Sequence, residues 1–362
     1  MKKVKLEDVC YSSSSSISQK DIMLLDGKYS VYGASGLIKN INYYKYEKEY
    51  VGIVKDGAGV GRTMILPAKS SVISTIQYIL PKDNINTRYL YYVLSFMNLS
   101  KYYSGVTIPH IYFKDYKYEE FFLPNKSEQQ KIVNKLDLIQ EIIDIRKKQI
   151  KKLDELIKSQ FVEMFGDPIL NDKKYMDKEI GEISEIVSGT TPDTSNKDNW
   201  NGNINWITPA EINDETFYVF ETERKITEQG RKSKSLTVMP RGTVIFSTRA
   251  PIGKTAIAGI EMCCNQGFKN CICNNEINNV YLYYVLKNNK EYFNSLGTGA
   301  TFKELSKRVF EKVKISVPPI ELQNKFADFV KKIDKQKFKI QKSLEEMQKL
   351  QESLMNEYFG DV

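Results

Sequence analysis

The chain has 362 residues, 41% hydrophobic and 27% charged, with a formal net charge of +8. That length exceeds one ordinary core and that composition excludes a disordered chain, while the positive excess suits a nucleic-acid partner without requiring one. A single histidine, His110, disfavours histidine-based metal sites and Ser–His or Cys–His catalysis throughout.

Met1-Lys2-Lys3 leads into mixed sequence and not an apolar stretch, and no run reaches membrane-span length. The expectation is a cytoplasmic protein whose cysteines (Cys10, Cys263, Cys264, Cys271 and Cys273) are reduced thiols. A short opening helix near Val4–Asp8 is followed by Ser12–Ser16, which reads as a flexible loop. Tyr50–Val54 has the composition of a strand and runs into a glycine-rich turn, Gly57–Thr63. The mixtures Tyr43-Tyr44-Lys45-Tyr46 and Tyr112-Phe113-Lys114 suit either half-buried scaffold or contact along DNA, and scaffold is the commoner use of tyrosine.

A long helix follows. Ile132, Leu136, Ile139, Ile143, Arg146, Ile150, Leu153, Ile157, Gln160 and Met164 step by four and three, the seam of a coiled coil with two polar breaks. Pro124 and the box-like pair Ser127 and Gln130 mark its start, and Gly166 marks its stop. Thirty-odd residues make a rod of roughly 50–60 Å.

Beyond it the pattern begins again. Lys178–Glu182 resembles Val4–Asp8 in character, and Thr243–Ser247 reads as a strand before the turn Ala250–Thr255. Tyr281–Leu286 repeats Tyr89–Leu94, and Gly299-Ala300-Thr301 echoes Gly105-Val106-Thr107. VPPIELQNK (317–325) matches LPNKSEQQK (123–131), and the Phe-Gly-Asp of 359–361 matches that of 165–167, both 194 positions apart without a gap. The second seam runs Phe326, Val330, Ile333, Lys337, Ile340, Leu344, Met347, Gln351, Leu354 and Tyr358, again with two polar breaks. Two arms of equal length in one chain predict that they pair with each other as a spacer, although a generic dimerisation arm has the same seam. The units diverge most over 12–50 and 188–240, as expected of one scaffold reading two different things.

Several motifs mislead. Gly57–Thr63 and Ala250–Thr255 look like phosphate loops, but the first glycine of such a loop, required five residues before Gly61 or Gly253, is Asp56 in one and Thr248 in the other. They read better as strand turns presenting Arg62, Arg249 and Lys254. Cys263-Cys264 and Cys271-x-Cys273 lack the spacing of a zinc knuckle, and their alternation suggests a strand with small buried side chains. Pro192-Asp193 with Glu223-Arg224-Lys225 matches a nuclease core only at loose spacing. The Asn/Asp-Pro-Pro-aromatic signature of methyl transfer is absent, since Val317 precedes Pro318-Pro319.

The ordered set DGKYSVYGASGLI (26–38), YVGIVKDGAGVGR (50–62), GNINWITPAEI (202–212), GTVIFSTRAPIGKTAI (242–257) and NQGFKNCI (265–272), with the two arm openings, resembles the specificity subunit of type I restriction–modification systems. Ser30 stands where that family usually has proline. The resemblance covers essentially the whole chain. It implies a mixed α/β (α+β) chain with target-recognition domains at 1–122 and 169–315. Helical arms at 123–168 and 316–362 would form an antiparallel coiled-coil spacer. It further implies split double-stranded DNA as target and two DNA methyltransferase (modification) subunits on the arms. S-adenosylmethionine would lie in those subunits, and ATP and Mg in separate restriction subunits that translocate and cut DNA. This chain itself would have no catalytic residue, cofactor or metal. The residues expected at DNA are Lys39, Lys55 and Arg62 in the first domain, and Lys232, Lys234, Arg249, Lys254 and Lys269 in the second. A fused modification or nuclease enzyme and a coiled-coil scaffold with carbohydrate or protein ligands are the rival classes. The missing motifs weigh against the first, and the duplicated strand–turn units weigh against the second.

Overall fold

The computed structural model describes residues 2–105, 109–299 and 303–360. Val106-Thr107, Ala300-Thr301 and Asp361, which the repeat had matched, lie outside the described residues. The chain divides into two compact units. One comprises residues 1–149 with 340–362, and the other residues 150–339. Each unit thus combines one globular part with portions of two 40-residue helices, Lys126–Phe165 and Ile320–Phe359.

In the first unit, strands Cys10–Ser14, Ile76–Pro81, Tyr50–Val54 and Thr63–Leu66 form one antiparallel sheet in that spatial order. A second sheet pairs Gly36–Ile41 with Tyr29–Gly33, which runs parallel to Ser71–Val72. A third joins Lys2–Lys5 to Glu120–Leu123. The serine run is therefore a loop only at Ser15 and Ser16: Ser12, Ser13 and Ser14 pair with Ile79, Tyr78 and Gln77. An edge strand needs one partner and tolerates polar side chains on its open face, so tertiary pairing overrides weak local propensity here.

The second unit repeats this plan. Ser184–Ser188, Lys269–Cys273, Val244–Phe246 and Thr255–Ala258 take the four places of the main sheet, with Tyr218–Val219 added at the edge. Arg224–Ile226, Trp200–Ile207 and Cys263–Cys264 form the second sheet, its last pair again parallel. Met176–Glu179 joins Lys314–Val317. The opening helices correspond too. The Lys5 amide donates to Asp8 at 2.9 Å in one, and the Glu179 amide to Glu182 at 2.6 Å in the other.

Each unit fastens its sheet to the long helices in the same way. Helix Thr87–Phe96 is capped by Asn86, and helix Asn279–Asn288 by Asn278. The backbone amides of those caps donate to Gln129 Oε1 at 2.7 Å and to Gln323 Oε1 at 2.8 Å. Gln129 Nε2 in turn donates to the carbonyls of Pro124 and Asn84, and Gln323 Nε2 to those of Pro318 and Glu276. Both glutamines are fully buried, so the glutamine of the arm-opening motif is a three-way staple. The helix itself is capped by Asn125, whose Oδ1 accepts from the Glu128 amide at 3.0 Å, and not by the Ser127–Gln130 box the sequence suggested.

The repeated Phe-Gly also has a packing role. Phe165 is fully buried against Tyr281 and Phe326 in the second unit, and Phe359 packs on Tyr89 and Phe96 in the first. Within the first unit Gln351 donates to Gln140 at 2.9 Å and Lys135 to the Tyr358 hydroxyl at 3.2 Å, so the helix portions there run antiparallel. Within the second unit Lys337 donates to Asp154 at 2.5 Å while Phe161 meets Phe326 edge to face, again antiparallel. Seam residues Leu136, Ile143, Ile157, Phe326 and Val330 are buried as the heptads required.

Candidate nucleic-acid interface

The glycine-rich turns form in both units, and they are not phosphate loops. The Gly61 amide donates back to the Val54 carbonyl at 2.8 Å and the Gly253 amide to the Ser247 carbonyl at 2.9 Å, so these N–H groups point into the sheet. Both glycines have positive φ, +85° and +101°. A Cβ on Gly61 would lie 2.5 Å from the Ser100 amide nitrogen, and one on Gly253 would lie 2.4 Å from the Lys290 side chain. Close approach and left-handed backbone together explain glycine there.

The basic residue after each glycine makes the same bond. Arg62 donates to the Ala34 carbonyl, and Lys254 Nζ to the Pro209 carbonyl at 2.6 Å. Ala34 and Pro209 occupy equivalent places, just past the strands that run parallel to Ser71–Val72 and Cys263–Cys264. Each residue therefore ties the divergent insert to the turn, and Arg62 keeps further donors for a ligand.

In the second unit this tie borders a cleft of about 570 Å³, lined by the 208–210 turn, Arg249, Lys254, the segment 265–267, Lys303 and Glu304. Arg249 sits 3.8 Å from Glu304, beyond hydrogen-bond length, while Thr191 Oγ1 donates to Gln266 Oε1 at 2.6 Å. The arrangement is open and rich in donors, as recognition of an anionic or acceptor-bearing ligand requires. Gln266 lies inside the NQGFKNCI motif and Lys303 in a segment without a signature, so spacing alone singled out neither.

The remaining expected contacts are scattered. Lys39 Nζ donates to the Met23 carbonyl at 2.8 Å and pairs with Asp26 at 3.0 Å. Lys55 lies 3.5 Å from Asp56, whose carboxylate also meets His110 Nδ1 at 2.7 Å. Lys232 and Lys234 are exposed at the end of helix Glu228–Ser233, with Lys232 3.7 Å from Glu228. Lys269 differs from the others. It is only 8% exposed, and burial lowers its pKa against the opposing pull of Glu304. From there it backs the cleft wall, its Nζ 3.4 Å from the Phe268 carbonyl, and little of it reaches solvent.

The misleading motifs resolve into scaffold. Arg224 lies 3.6 Å over the Trp200 ring and 5.4 Å from that of Trp206. Cys263 and Cys264 are buried in a strand, where burial pushes their thiols up to about 11 and about 12. Tyr46 packs on Tyr50 and Tyr78, whereas Tyr43 and Tyr112 are exposed. Among the described residues, no helix is long and apolar enough to cross a membrane.

Comparison with known proteins agrees with the duplication. The MjaIX type I restriction enzyme specificity subunit of Methanocaldococcus jannaschii is 37% identical over 187 residues, 51% of this chain and 43% of that protein. The match thus spans less than half of that relative's length. The crystal structure of the type I restriction–modification S subunit from M. genitalium superposes with a TM-score of 0.68 at 17% identity, covering 100% of this chain and 96% of that one. A structure described as the basis of complex assembly and conformational transition of the type I R-M system gives 0.57 at 17% identity, covering 100% and 98%. At such identity these likenesses speak to fold alone. The profile of the type I restriction modification DNA specificity domain matches residues 1–155 and again residues 172–350, and with both repeats accounted for in this way the chain belongs to that family.

Proposed function

We propose that this chain is the non-catalytic specificity subunit of a cytoplasmic type I restriction–modification complex. Each globular domain reads one half of a split double-stranded DNA target. The domains are bounded as the sequence suggests, 1–122 and 169–315. The arms pair as an antiparallel coiled-coil spacer that sets the gap between the half-sites. Their outward faces, where Leu138, Ile145, Leu156 and Val162 of the first arm and Phe338 and Leu350 of the second stand exposed, dock two modification subunits carrying S-adenosylmethionine. Restriction subunits using ATP and Mg complete the assembly. Lys39, Lys55, Arg62, Lys232, Lys234, Arg249 and Lys254 supply contacts to DNA, with salt-dependent affinity from phosphates and base readout in the major groove.

One observation carries this reading. The same strands, staples and turns occur twice, while the inserts between them differ. A constant frame with two variable faces is what a reader of two unlike half-sites needs. The test is purification with and without a methyltransferase subunit. Specific binding to a split target in the presence of that subunit is expected. Methylation or cleavage of DNA by the lone chain would sink the proposal. Replacing residues 188–240 should change one half of the methylated motif and leave the other intact.

A further inference from the structure

The two units can be superposed bond by bond around the glycine turns. In the first, the Lys55 amide donates to the Thr75 carbonyl at 2.9 Å and the Ile111 amide to the Lys55 carbonyl at 3.0 Å. In the second, Thr248 donates to Gly267 at 2.8 Å and Leu305 to Thr248 at 2.9 Å. This makes Asp56 the counterpart of Arg249, His110 that of Glu304, and Ser74 that of Gln266. The bridges agree, since Asp56 and Ser104 both pair with His110, just as Arg249 and Thr298 both pair with Glu304. Between these matched bonds the charge at one place is reversed, from Asp56 to Arg249. A carboxylate held by an imidazole in one unit becomes a guanidinium beside a carboxylate in the other.

We infer that Arg249 and Gln266 are specificity-determining residues of the second unit and that they read the major-groove edge of a guanine. This rests on the chain being a DNA specificity subunit. Both side chains line the same cleft. Gln266 Oε1 accepts from the Thr191 hydroxyl, which leaves Nε2 as a donor. Arg249 is not hydrogen-bonded to Glu304 at 3.8 Å, so its planar fork is available. Donors from two side chains of one cleft match a base that shows two adjacent acceptors. In the major groove only guanine does so, through N7 and O6, whereas adenine and cytosine each present an amino donor that would be repelled. Glu304, 47% exposed and 3.8 Å away, holds the guanidinium on its side of the cleft by charge. The first unit, with Asp56 and Ser74 at these places, reads a different base.

The test is enrichment of duplexes with two randomised blocks by the chain assembled with its modification subunits. The unaltered complex should enrich a split motif with guanine at one position of one half. Arg249→Ala should lower discrimination at that position roughly tenfold or more and leave the other half unchanged. Arg249→Lys, which keeps the charge without the fork, should lose the same discrimination, so a folding defect in the alanine variant does not decide the matter. Gln266→Ala should weaken the same position less. An unchanged motif in the Arg249 variants would overturn the inference while the function stands. So would a uniform loss on all sequences with a salt slope lower by about one, the mark of a phosphate contact. Enrichment of no motif by the unaltered complex would overturn the function itself, and this inference with it.

Discussion

The two units differ in a patterned way. Facing the helices they are nearly the same: Gln129 and Gln323 make the same three hydrogen bonds, and Tyr89 and Tyr281 each donate to an equivalent carbonyl, of Phe122 and of Ser316. Beside the glycine turns the backbone bonds of Lys55 and Thr248 also correspond, but Asp56 with His110 holds the place that Arg249 with Glu304 holds in the other unit. The side against the arms answers to packing, which has few solutions. The side beyond the turns answers to a ligand, and there the chemistry inverts.

The largest effect should come from the helix-end phenylalanines. Phe165 is fully buried among Phe161, Tyr281 and Phe326, so Phe165→Ala should cost about 3–5 kcal/mol. Phe359 is 4% exposed and ends its helix against Tyr89 and Phe96, so Phe359→Ala should cost less, about 2–3 kcal/mol. Urea unfolding gives the magnitudes. Hydrogen exchange should place the first loss in helix Asn279–Asn288 and the second in helix Thr87–Phe96. Protection lost equally in both helices for either variant would show that the equivalence of the units is not local.

Next come the staples. Gln129→Ala and Gln323→Ala each leave a buried cap amide and two carbonyls without partners, a cost of about 2 kcal/mol apiece. Because the geometry is shared, the two penalties should agree within about 0.5 kcal/mol. A wide gap between them in the same unfolding series would mean that the likeness of the units is only in backbone path.

These staples show how far the sequence can be read. Strand Tyr50–Val54, the two seams and the repeat were legible because they rest on periodicity, which one sequence displays. The role of Gln129 was not, because its partners Asn84 and Asn86 lie more than 40 residues away and no local pattern links them. The same holds for the site. The turns and their basic residues stood out, but Arg62 and Lys254 each lend a donor to a carbonyl of the insert, and Lys269 points into the wall. Lysine and arginine look alike in sequence whether they face a phosphate or a backbone oxygen.

That distinction is measurable. Lys232→Ala and Lys234→Ala, at exposed sites, should weaken DNA binding on all sequences alike and lower the salt slope by about one each. Lys269→Met should leave the slope unchanged, because a buried amine releases no counterions from DNA. A slope lowered by the Lys269 variant would place that side chain at a phosphate.

The smallest effect concerns the polar breaks in the seam, which also differ between units. Gln351 meets Gln140, a neutral pair, and Lys337 meets Asp154, an ion pair with the lysine largely covered. A helix sliding by one heptad would set Gln351 and Lys337 against other side chains, so both pairs favour one antiparallel register. Their stabilities should respond differently to salt. A double-mutant cycle on Lys337 and Asp154 should give a coupling of up to about 1 kcal/mol that shrinks in 1 M salt. The cycle on Gln140 and Gln351 should give a similar or smaller value that salt leaves alone. Two salt-insensitive couplings would mean that the Lys337–Asp154 contact acts through packing of the lysine stem and not through charge.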